Sequence, residues 1–177
     1  MKNVVAIPAN PALVNSTEDF IHAVENDRKD SAEKFIEMVD HLTDRVISLL
    51  LLEPANRTEL SGGQKKVIDF AVSTGSKASS MLTRQIFKKI TSKEFSRVLA
   101  NVKEMYWPAG DDNDNQAYMA FAVDDDFAER FHKATELCAA GKGTEEVSLV
   151  IRAMNDVSDK VIDEVFESDK DYNGYGF

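Results

Sequence analysis

Ser31-Ala32-Glu33-Lys34-Phe35-Ile36-Glu37-Met38-Val39-Asp40-His41-Leu42-Thr43-Asp44-Arg45-Val46-Ile47-Ser48-Leu49-Leu50-Leu51-Leu52-Glu53 is the stretch whose reading decides the fold. Phe35, Val39, Leu42, Val46 and Leu49 recur at steps of three and four, one apolar stripe at the period of an α-helix. Asp30 followed by Glu33 reads as a capping box, in which each side chain satisfies an orphan amide of the first turn. Ile47 and the four leucines after Ser48 spread over the whole circumference of the helix, so its C-terminal end is expected to be buried all round. Such a helix belongs at the centre of a bundle or in a dimer interface.

Outward from this helix the same spacing predicts further helices over 17–27, 62–74, 77–90, 92–106, 125–140 and 144–168. Ser61 with Gln64, Thr91 with Glu94 and, more weakly, Ser16 with Asp19 are capping-box starts, and Asp124 and Thr144 are N-cap residues. The polar run 25–30 has no proline or glycine to break the chain, so the first two helices can fuse. Loops fall at 53–58 and 107–116, where Pro54, Pro108 and Gly110 lie. Asn3–Ile7 and Tyr118–Val123 are short, apolar and extended in character, and can pair with each other. A lone two-stranded ribbon is marginal, so they are read as packed arms. The expected fold is therefore all-α, a bundle of about six or seven helices. A short extended N-terminal arm spans 1–15, the helical domain 16–168, and an acidic mobile tail 169–177.

The chain has 177 residues and 43% hydrophobic content, enough for the core of one domain. Its single cysteine, Cys138, rules out an intrachain disulfide and a cysteine-rich zinc site, and it is placed on the apolar side of the 125–140 helix as a core residue. The N-terminal apolar run stops at Pro8, short of a signal-peptide core. No run approaches the ~20 apolar residues of a membrane span. The expectation is a cytoplasmic protein with no membrane partner.

With 31 acidic and 21 basic residues the formal net charge is −10, which excludes a surface that is basic overall. The charge is unevenly spread. Residues 1–60 hold 6 basic and 11 acidic groups, residues 61–106 hold 9 and 3, and residues 107–177 hold 6 and 17, for net charges of −5, +6 and −11. Within the basic segment Lys77, Arg84 and Lys88 lie opposite the apolar stripe of the 77–90 helix, and Lys93 and Arg97 are one turn apart on the next. These five are the candidate nucleic-acid-binding residues. The competing reading is that the acidic flanks neutralise them, within the fold or across an oligomer.

Two local patterns resemble known motifs. Leu60-Ser61-Gly62-Gly63-Gln64 resembles the signature motif of ATP-binding-cassette ATPases, in which amides at a helix N-terminus meet a nucleotide phosphate. The phosphate-binding Gly-x-x-x-x-Gly-Lys-Ser/Thr loop those enzymes need is absent, and Thr74-Gly75-Ser76-Lys77 lacks its first glycine. Asp169-Lys170-Asp171-Tyr172-Asn173-Gly174 resembles the first half of an EF-hand calcium loop, with oxygen donors at positions one, three and five. The chain ends at Phe177, before the bidentate glutamate of position twelve, so the expectation for Asp169, Asp171 and Asn173 is an acidic tail.

No catalytic constellation is evident. Glu129 and His132 have the Glu-x-x-His spacing of di-iron bundles, and Asp19 with His22 nearly so, but periodicity puts both pairs on the solvent side. Glu37 and His41 sit on a helix flank. No serine lies in a Gly-x-Ser-x-Gly elbow. Tyr106 and Trp107 are read as core anchors at a helix end, with an exposed partner surface as the alternative. No catalytic or metal-binding residue and no cofactor is assigned. The leading expectation is a non-enzymatic cytoplasmic protein-interaction or regulatory module, a homodimer whose acidic surfaces contact a basic protein partner. Nucleic-acid binding through the basic segment is the second reading. The third is an enzyme or metal-binding bundle built on carboxylates such as Glu37, Asp40 and Asp44.

Overall fold

A computed structural model describes residues 3–53, 92–110 and 115–140, with single positions at 62, 65, 66, 69, 73, 84, 152, 153, 156, 159 and 160, all of them helical. Along the chain run β1 (Asn3–Pro8), α1 (Pro11–Glu25), α2 (Ser31–Ile47), a π-helical turn (Ser48–Leu52), α3 (Ser92–Met105), β2 (Tyr106–Trp107), β3 (Tyr118–Val123) and α4 (Asp125–Ala139).

The expected all-α bundle of six or seven helices is overturned. Among the described residues there are four α-helices and a three-stranded antiparallel sheet of order β1-β3-β2, an α+β arrangement. The two runs read as packed arms pair along their whole length, from Asn3 opposite Val123 to Pro8 opposite Tyr118. What makes this ribbon viable is the third strand. Tyr106 and Trp107, at the end of the 92–106 stretch, leave the helix and pair with Met119 and Tyr118. A third strand and an apolar face against helices supply what a lone hairpin lacks.

Strand alternation assigns each residue to one face, although the outer-face Ala120 of the central strand is also buried. Val5, Ile7, Met119, Phe121, Val123 and Tyr106 share the inner face and are buried in the core. The helices close that core from the other side. Phe20 of α1 meets Phe35 of α2 edge-to-face at 5.1 Å, both fully buried. Phe127 of α4 sets its ring against Phe121 of β3 at 6.4 Å and 84°.

Local chemistry explains the element boundaries. α1 begins six residues earlier than its spacing suggested, at Pro11. Asn10 is the N-cap, accepting from the Leu13 amide at 3.0 Å, and proline occupies the first helical position, where its missing N–H costs nothing. Ser16 and Thr17, read as near a helix start, are inside the helix; their hydroxyls donate back to the Leu13 carbonyl. The first two helices do not fuse. Asp27 adopts φ 49°, the Arg28 amide donates to the Ala23 carbonyl at 2.9 Å and the Asp27 amide to Val24 at 3.1 Å. This is a Schellman ending with aspartate in the place glycine usually holds. Asp30 precedes α2 without capping it through its side chain; its carboxylate is instead gripped by Arg28 at 2.9 and 2.5 Å. Asp124 does cap α4, accepting from the Phe127 amide at 2.7 Å.

The helix over 31–53 is continuous, but its end widens into the π-helical turn, where the Glu53 amide donates to Ser48, five residues back. Arg45 and Ser48 both donate to the Glu53 carboxylate across this turn, at 2.5 and 3.3 Å. The leucine run is not buried all round: Leu52 is 38% exposed.

Candidate functional site

The outer face of the sheet is the feature that distinguishes this surface. Cross-strand partners point the same way, so Val4 with Ala122, Ala6 with Ala120, and Pro8 with Tyr118 and Trp107 make up this face. It carries no charged side chain. Exposure falls from 51% at Val4 and 41% at Trp107 on the two edge strands to 4% at the central Ala120. Tyr106 and Trp107 thus have opposite fates. Tyr106 is the core anchor that both were expected to be, whereas Trp107 faces out. The signal that separates them is the period-two alternation of a strand, which two residues at a helix end are too few to display.

At the Val4 end of the face the chain leaves β3 through Asp124, Asp125 and Asp126, all exposed. Asp125 accepts from the Asn3 side chain at 2.7 Å, which pins the start of β1 to α4. Further along α4 Glu129 and Glu136 are also exposed. Asp111, Asp112 and Asp114, which precede Tyr118 in the sequence, lie outside the described residues.

Among the described residues no strand pairs with the edge of β1 away from β3. The Ala9 amide donates to Ala117 at 2.8 Å, one step beyond the last strand pair. In an antiparallel ladder bonded residues alternate, so Asn3, Val5 and Ile7 turn their main-chain groups to β3. Val4, Ala6 and Pro8 turn theirs outward. The outward Pro8 carbonyl is taken by Arg45 Nε at 2.8 Å. Among the described residues nothing bonds the outward groups of Val4 and Ala6.

Of the five candidate basic residues, the side chains of Arg84 and Arg97 lie among the described residues. Arg84 is helical and exposed, and Arg97 is exposed on α3. Lys93 lies in α3 with its side chain outside the described residues, as Lys77 and Lys88 are entirely. The resemblance at Leu60–Gln64 is described only at Gly62, where the chain is helical and exposed, and Asp169, Asp171 and Asn173 lie outside the described residues. So does the Cys138 side chain.

Of the histidines, His22 and His132 are exposed, and His132 meets Glu136 at 3.1 Å. His41 differs: it is half-buried, and its Nδ1 is buried with no hydrogen-bond partner among the described residues. Glu37, one turn before it, is engaged by Lys34 at 2.9 Å. Lys34 also reaches Asp19 of α1, at 3.3 Å. Glu37 and Asp44 are exposed and Asp40 is half-buried. Among the described residues no three His, Cys, Asp or Glu side chains converge as a metal centre requires. Nor is any described helix long and apolar enough to cross a membrane.

Among the described residues Tyr106 is the group whose proton affinity is most strongly moved. Burial, and then its hydrogen bond to the Glu18 carboxylate at 3.0 Å, push its phenol up to about 12. That is a structural tether between β2 and α1.

Comparison with protein-family models, with curated proteins and with solved structures finds no match to this chain.

Proposed function

We propose that this protein is a non-enzymatic cytoplasmic interaction or regulatory module, a homodimer that takes a basic protein partner on the outer face of its sheet. The observation that carries this reading is the uncharged outer face, open at Val4 and Trp107, ending at the exposed Asp124, Asp125 and Asp126. An exposed apolar patch with a charged rim is the signature of a protein contact surface, and tryptophan is the side chain that most often anchors one. The acidic rim selects a partner whose own apolar strip is flanked by lysine or arginine, and it speeds encounter with it.

Trp107 is the sole tryptophan, so it reports binding directly. A synthetic peptide of alternating valine and lysine should shift its emission to shorter wavelength, saturably and less at high salt. A peptide of alternating valine and glutamate should not. Equal response to both peptides, or none to either, overturns the reading. A gel shift of nucleic acid by the full chain at low salt, lost on replacing Arg84 and Arg97 by alanine, favours the basic segment instead.

A further inference from the structure

We infer that β1 is the dimerisation element, and that two copies join edge to edge through the outward main-chain groups of Val4 and Ala6. The inference rests on the homodimer reading above and specifies its surface. β1 is a six-residue edge strand without a charged residue, bulge or mid-strand proline, and so without the features that keep natural edges from pairing. Its open side presents an N–H and a C=O at each of two residues spaced by two.

That pattern is complementary to itself. About a two-fold axis at Val5, Val4 of one copy lies opposite Ala6 of the partner subunit, and Ala6 opposite Val4 of the partner subunit. All four outward groups of each copy are then used, in four main-chain hydrogen bonds across the junction. Pro8, which has no N–H and whose carbonyl is held by Arg45, ends the ladder.

The antiparallel sense follows from this pattern: only then do the N–H and C=O of Val4 lie directly opposite those of the partner subunit's Ala6. The assembly also closes. The joined sheet runs β2-β3-β1-β1-β3-β2, and its remaining edges are the two-residue strands Tyr106–Trp107, too short to recruit a further copy. The two uncharged outer faces become one surface across the junction.

The test is the solution mass of the full chain over a range of concentrations, for the wild type, Ala6→Pro and Val4→Pro. Each proline removes an N–H that points away from β3, so the β1–β3 ladder loses no bond. The wild type should have twice the 19.7 kDa chain mass, and both variants the single mass with an unchanged far-ultraviolet spectrum. In the wild type the Val4 and Ala6 amides should exchange slowly with solvent, and the protection should vanish on dilution to monomer. This readout holds even if a proline variant fails to fold. A dimeric wild type with dimeric variants, or with fast-exchanging Val4 and Ala6 amides, overturns the edge and leaves the homodimer standing. A wild type of single mass at every concentration overturns both.

Discussion

The Tyr106 hydroxyl donates to the Glu18 carboxylate 3.0 Å away, so the shortest strand of the sheet is tied to the first helix across 88 positions of sequence. The contact has a consequence in alkali. The folded-state phenol titrates near 12 rather than the ordinary 10, so the unfolded chain releases this proton first. Stability from this group is complete below pH 10 and is lost as pH rises towards 12. Titration followed by tyrosinate absorbance should show one of the four tyrosines ionising late, and Tyr106→Phe should remove that late component.

The turn between α1 and α2 stores a small backbone cost at Asp27, whose φ of 49° suits glycine better than any residue with a Cβ. Asp27→Gly should raise the stability by about 0.5–1 kcal/mol, and Asp27→Val should lower it by about 1–2 kcal/mol. Urea denaturation of the two variants, giving shifts of opposite sign, checks this.

The α4 cap is a second local term. Removing the carboxylate that accepts from the Phe127 amide, by Asp124→Ala, should cost about 1 kcal/mol. Asp124→Asn, which keeps an acceptor, should restore most of the loss. Thermal unfolding of the pair distinguishes a capping role from a purely electrostatic one, since asparagine restores the bond without the charge.

His41 carries a buried nitrogen without a partner among the described residues. An unsatisfied buried polar atom costs about 1–3 kcal/mol, so a side chain of similar reach without it should be no worse. His41→Leu is expected to leave stability unchanged or raise it, measured by the denaturation midpoint. A loss above about 1 kcal/mol would show that the imidazole makes a bond essential to the fold.

Sequence reasoning found α2, α3 and α4 because the signal for a helix is local. Phe35, Val39, Leu42 and Val46 declare their period within four turns, and Asp124 declares its cap within three residues. It missed the start of α1, although Asn10 and Pro11 are a legible N-cap and first-turn pair, because the apolar run after them is sparse. Of the site, the apolar character of Val4, Ala6 and Tyr118 was visible in the sequence. Their common face was not, and Trp107 was assigned to the core.

By itself the sequence determined helical periods, caps, the proline at the start of α1 and the uneven charge, all of which arise from residues within a turn or two of one another. Only the tertiary structure decided that the chain is α+β. Asn3 and Val123 find each other across 120 positions. The register between them rests on which side of each strand meets Phe20, Phe35 and Phe127, and no local pattern encodes that. The outward Val4 and Trp107 follow from the same choice: an inner face committed to the core turns these two edge-strand side chains, and the outward main-chain groups of Val4 and Ala6, away from it.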